Sequence, residues 1–163
     1  MMGSMRIATA ALLVLTATAV SAHAPAKHEA AAISVPQSAQ AAAATVDAFH
    51  GALRRGDTKT AASLLAADAL VFEEGGVERS KAEYVERHLP ADAAFSQVVA
   101  STITRRSGGS DGALAWIASE GRMTGTYKGK AVDRVTTETM VLRRVGPTWK
   151  VVHIHWSSAA AHD

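Results

Sequence analysis

Trp149-Lys150-Val151-Val152-His153-Ile154-His155-Trp156-Ser157-Ser158 sets two tryptophans and two histidines within ten residues near the C-terminus. The run predicts a strand. Successive side chains of a strand point to opposite faces, so Val152, Ile154 and Trp156 share one face while Val151, His153, His155 and Ser157 share the other. Neither row has the composition of solvated surface, so the sheet containing this strand is occupied on both sides.

Upstream, three further runs carry the β pattern: residues 95–106, 113–127 and 131–145, separated by Ser107-Gly108-Gly109-Ser110-Asp111-Gly112, Lys128-Gly129 and Gly146-Pro147. Before them the period changes. Residues 41–55 place Val46, Phe49 and Leu53 at spacings of three and four, with Gly56 set to end a helix. Asp57 reads as the cap of a second helix over 58–67, carrying Ala61, Leu64 and Leu65. Gly75-Gly76 marks a small hairpin within 69–79, with Phe72 and Val77 near its tip. Ser80-Lys81-Ala82-Glu83 is a capping box opening a third helix over 81–88, which Pro90 stops. Three N-terminal helices followed by a long, mostly antiparallel meander make an α+β fold whose sheet curls around the first helix and leaves a cone-shaped cavity.

The chain has 163 residues, 48% hydrophobic and 20% charged, with a formal charge of +2. That balance fits one globular domain. The basic residues are scattered pairs (Arg54-Arg55, Arg105-Arg106, Arg143-Arg144) with no aromatic-interleaved stripe, which argues against nucleic acid as a partner. There is no cysteine, hence no disulfide, no thiol nucleophile and no thiolate metal ligand. Arg6, an apolar run from Ile7 to Val20 and the small residues Val20-Ser21-Ala22 read as an export signal over 1–22. The apolar run falls short of the ~20 residues a spanning helix needs, so no membrane association is expected after cleavage. The expected product is periplasmic or secreted. It has a flexible Ala/Pro-rich linker over 23–38, the domain over 39–158 and a tail over 159–163.

This order of elements resembles the nuclear transport factor 2-like superfamily, the cystatin-like cones. The terminal run from Arg143-Arg144 through Ser157 is similar to the last hairpin of the association domain of calcium/calmodulin-dependent kinase two and to SnoaL-like domains. The resemblance implies that Val152, Ile154 and Trp156 face the cone, together with Trp116, Ala118, Glu120, Thr137 and Thr139. It also implies that His153 and His155 lie on the outer face of the sheet, where such domains form homodimers. Ala118, Thr139 and Trp156 stand where the kinase domain can carry arginines, which implies a more apolar pocket. The aspartate-tyrosine pairing of ketosteroid isomerases and the histidine-aspartate pairing of scytalone dehydratases have no counterpart at positions that align.

Under this reading the ligand-binding residues are Trp116, Glu120, Thr137, Thr139, Ile154, Trp156 and His88. Glu120, flanked by Trp116 and Trp156, is a candidate general acid or base, because burial raises a carboxyl's proton affinity. Its alternative is a solvated place at the mouth, paired with Arg122 or Arg134. His88, ending the third helix, would be its proton-shuttle partner or simply a helix terminator. His153 and His155 have a spacing that can hold a metal with Glu138 as a third donor; the competing reading assigns the two histidines to a subunit interface, and no metal is expected. No phosphate loop, dinucleotide fingerprint or Ser/His/Asp motif is present, so no cofactor is expected. The sequence therefore predicts an exported homodimeric cone that binds a small, largely apolar molecule. Two alternatives stand beside it: a cofactor-free isomerase, dehydratase or hydrolase using Glu120 and His88, and a pure oligomerisation module.

Overall fold

The structure, a computed structural model, describes residues 33–162. The export signal and most of the linker expected from the sequence lie outside the described residues. Helix α1 (Gln40–Arg54) buries Ala42, Val46, Phe49 and Leu53 on one stripe. Gly56, at φ +69°, closes it in the left-handed geometry that costs glycine least. Helix α2 (Thr58–Leu64) starts at Asp57, whose Oδ1 accepts from the Thr60 amide at 2.9 Å. Strands β1 (Leu65–Glu73) and β2 (Gly76–Glu78) form the small hairpin. Helix α3 (Lys81–Arg87) is capped by Ser80 Oγ, which accepts from the Glu83 amide at 3.1 Å.

Pro90 does not lead into a strand as the sequence reading expected. It sits in the first turn of a fourth helix, α4 (Leu89–Ser96), where proline is tolerated because that amide has no helical partner. Strands β3 (Val99–Ser110), β4 (Leu114–Tyr127), β5 (Lys130–Val145) and β6 (Thr148–Ala160) follow. β6 runs through Ala160, two residues into the expected tail. Among the described residues the sheet order is β2-β1-β6-β5-β4-β3, antiparallel except for the β1–β6 pair. The fold is the expected α+β cone, with four helices in place of three.

A bulge decides what β6 presents. Val141 pairs with His153 but Leu142 pairs with Val151, so Val152 has no partner on β5 and the alternation skips there. Val151 and Ile154 are therefore both fully buried, while Val152, expected inside, is only half-buried. Below the bulge the inward residues form transverse rows. Val71, Ile154, Met140 and Ile117 are cross-strand partners in sequence and make the apolar floor under α1. Burying each such side chain contributes about 1.5–3 kcal/mol. The next row toward the open end is Glu73, Trp156, Glu138, Ser119 and Arg106. One register step converts the core into a polar layer.

Candidate functional site

Helix α1 lies over this polar row and reaches it with Asp47 and His50, one turn apart beside the buried Val46 and Phe49. His50 Nε2 meets Glu138 Oε2 at 2.7 Å, and Trp156 Nε1 donates to the same oxygen at 2.7 Å. Arg106 Nη1 donates to Asp47 Oδ1 at 2.7 Å and Arg106 Nε to Ser119 Oγ at 3.1 Å. Arg106 is 7% exposed and the Glu138 side chain 11%. Burial by itself pushes the Glu138 carboxyl up. The facing His50, the two hydrogen bonds and the nearby Arg106 charge outweigh it and hold the group below its ordinary value. Glu138 is thus an ionised carboxylate fixed against an imidazole.

On the other side of Trp156 the environment acts the opposite way. Glu73 as a residue is exposed at the end of β1, but its carboxyl is partly desolvated. That desolvation, reinforced by the charges of Asp92, Glu74 and Glu78 and only partly offset by His88, pushes the carboxyl up to about 7. Asp92, in the first turn of α4, is also raised by burial, while the Tyr84 hydroxyl donating to its Oδ2 at 2.6 Å works against that. His88 Nδ1 contacts Glu78 behind this pair. Glu73 and Glu138 are each the cross-strand partner of Trp156, so their backbones stand about 10 Å apart, two strand spacings.

These groups line one cavity of about 510 Å3, within the range of small-molecule sites. Its polar wall contains Glu73, Asp92, His50, Glu138, Arg106 and Asp47; its apolar wall contains Leu53, Phe95, Val99, Ile103 and Met123. Phe49 and Trp156 stack at 6.4 Å between ring centroids, which fixes the indole that forms the floor between the two glutamates.

The residues singled out in the sequence distribute unevenly around this cavity. Trp156 lines it, and Ile154 lies beneath in the core. Glu120 and Thr137 border it but are exposed and on the opposite parity from Ser119 and Glu138. Trp116 and Thr139 lie on the outer face, Trp116 with 46% of its surface exposed. The expected inward row of β4 and β5 is shifted by one residue, and in a strand such a shift exchanges the two faces. Arg122 and Arg134, weighed as partners of Glu120, hold Asp133 and Glu74 respectively. His88 stays behind Glu78 instead of meeting Glu120. His153 and His155 are on the outer face, their rings 5.0 and 6.3 Å from Phe72. Glu138 points to the opposite face, so it cannot join them as a metal donor, and among the described residues no set of three His, Cys, Asp or Glu is arranged to hold an ion. His50, Asp47, Arg106, Glu73, Tyr84 and Asp92 were not singled out by sequence reasoning. The one available signal was a charged residue and a histidine bracketing the apolar stripe of α1.

A family model described as a SnoaL-like domain matches residues 42–161. Among solved structures, a proposed ketosteroid isomerase from Shewanella frigidimarina is 35% identical, covering 76% of this chain and 100% of that one with a TM-score of 0.71. A proposed calcium/calmodulin-dependent protein kinase II association domain from Xanthomonas campestris is 24% identical (85% and 93% covered, TM-score 0.64). A proposed dehydratase of the nuclear transport factor 2-like family from Streptomyces avermitilis is 21% identical (76% and 97% covered, TM-score 0.65). The last two speak for the fold alone. No curated protein matches the chain.

Proposed function

Because the chain belongs to the SnoaL-like domain family, on the nuclear transport factor 2-like scaffold, we propose that it is a cofactor-free acid–base catalyst that isomerises or dehydrates a small, uncharged, mostly apolar molecule. The scaffold hosts many chemistries, so the site has to carry the reading. The observation that carries it is the pair of glutamates flanking Trp156 in one cavity, with surroundings that drive their proton affinities apart. Such a divergence divides acid from base. Glu73, held near neutrality, exchanges a proton with the bound molecule. Glu138 stays ionised and orients His50 through Nε2, which leaves Nδ1 as the ring nitrogen that meets the substrate.

For a β,γ-unsaturated ketone the steps balance without a redox partner. The Glu73 carboxylate takes the proton from the carbon beside the carbonyl, the C–H electron pair becomes a C=C bond, and the carbonyl pair moves onto oxygen. The His50 ring, held by Glu138 through Nε2, turns Nδ1 toward that oxygen. Glu73 then returns the proton to the far carbon, so one C–H bond has broken and one has formed. The similarity to a proposed ketosteroid isomerase supports trying this class first. The test follows 5-androstene-3,17-dione with the purified domain in deuterated buffer by NMR. Conjugation of the double bond well above the buffer rate is expected, and a rate no higher than buffer would remove the isomerase reading.

We also propose that the protein is exported and pairs back to back through the outer sheet face, where Leu70, Phe72 and Trp116 are exposed beside His153 and His155. Sedimentation equilibrium of residues 23–163 should give a dimer that Phe72→Asp weakens at least tenfold, the effect of a charge placed in an apolar contact. A monomeric parent would contradict the pairing.

A further inference from the structure

The polar row does not end at Arg106. Strand β3 is the edge of the sheet, and Ile33 forms a parallel bridge to Arg106 along that edge. Residues paired across strands point to the same face, so Ile33 faces inward beside Arg106 and becomes the last member of the row that begins at Glu73. Two residues on, Val35 shares that parity and packs against the core. A Cβ built on Gly108 would stand 3.1 Å from Val35 Cγ1 and 2.8 Å from Ile117 Cδ1, so the glycine leaves the space that Val35 occupies. The turn at Gln37–Ala39 then carries the chain into α1, with Ala39 fully buried. Residues 33–36, expected from the sequence to be loose, are tied to the β3 edge by one bridge at Ile33 and to the core by Val35.

Ile33 lines the same cavity as Phe95, Ile103 and Met123, yet 61% of its surface is exposed. An isoleucine that points into a cavity and meets mostly water is one that an apolar occupant would cover, and covering it removes apolar surface from water. The charges of the floor bear on what that occupant is. Arg106 is engaged by Asp47, and His50 by Glu138, while Glu73 and Asp92 face the same space. At the floor a second anion would meet these acids, with Arg106 already held by Asp47; the other lining arginine, Arg54, is exposed.

We propose that Ile33, held in place by Val35 packed against the core, is a wall of the binding cavity and a specificity-determining residue, closing over the hydrocarbon body of an uncharged ligand whose polar end lies at Trp156. This rests on the cavity being the binding site of the proposed catalyst, but not on any reaction. The test uses the neutral, apolar dye N-phenyl-1-naphthylamine, titrated by fluorescence into residues 23–163, the Ile33→Ala variant and the Ile33→Met variant. Ile33→Ala should bind the dye about tenfold more weakly, the effect of about 60 Å2 of apolar surface no longer removed from water, and Ile33→Met should recover most of the loss. Ile33→Ala binding within twofold of the parent overturns the proposal, as does a parent protein that takes up no dye. The two readings fail separately. Dye binding that depends on Ile33 in a protein without turnover leaves the wall and removes the catalyst, whereas turnover with Ile33-independent dye binding does the reverse.

Discussion

Glu73→Gln is expected to slow the double-bond shift about 10²- to 10⁴-fold, the usual contribution of a positioned general base, while making the fold more stable in alkaline solution. The amide keeps the shape and the cavity, so binding of the neutral ketone persists and the loss falls on kcat. The stability change has the opposite sign for a definite reason. In the folded state the Glu73 carboxyl is raised from 4.5 to about 7. Between those values the folded chain binds more protons than the unfolded one, so stability falls as pH rises through that window, and the cost persists above it. Glutamine removes the cost. Thermal melts should therefore show the variant above the parent at pH 8 and level with it at pH 4, a trade of stability for activity of the kind that functional sites carry. An unchanged kcat in the variant would remove Glu73 from the mechanism.

The second large effect is expected at Glu138. Glu138→Gln leaves Trp156 Nε1 an oxygen to donate to but deprives His50, whose side chain is 28% exposed, of its carboxylate partner. With one partner half-buried, losing this charge-assisted contact costs about 1.5–3 kcal/mol, which for a chain of this length lowers the melting temperature by about 6 °C. The pH dependence again follows from the direction of the shift. Glu138 is held below its ordinary value of 4.5, so its stabilisation is present above that pH and is lost as pH falls through the folded-state value. The gap between parent and variant should be full at pH 7 and narrow in acid. A gap below about 1 kcal/mol at pH 7, the range of an exposed ion pair, would mean that the Glu138–His50 contact is a surface interaction and not the anchor of the site.

The sequence carried the scaffold in features that act locally. The stripe of Val46, Phe49 and Leu53, the caps at Asp57 and Ser80, and the glycine turns each leave a mark within a few residues. The stripe, the caps and the turns at Gly56, Gly75, Lys128-Gly129 and Gly146-Pro147 hold the places expected of them. Ser107-Gly108-Gly109-Ser110, expected as a turn, instead continues β3 and pairs with β4. Pro90 was misread because proline that ends one helix can equally open the next. The site was harder to read because it depends on register. Trp156 was assigned to the cavity side correctly, but β4 and β5 were phased from a resemblance, and a slip of one residue put Glu120 and Thr137 in place of Ser119 and Glu138. The bulge at Val152 changes parity within β6 and leaves no signature in composition. His50 and Glu73 become site residues only through pairings between distant segments: Glu73 with Trp156, and α1 laid over β5. No local pattern encodes those contacts.

The central claim is that one cavity holds an ionised carboxylate and a carboxyl poised near neutrality on either side of Trp156. Carboxyl-detected carbon NMR of the folded domain, with Glu73 and Glu138 assigned by single Gln variants, measures both titrations without any substrate. The account predicts a midpoint near 7 for Glu73 and one below 4.5 for Glu138. Two glutamates titrating together near 4.5 would contradict it.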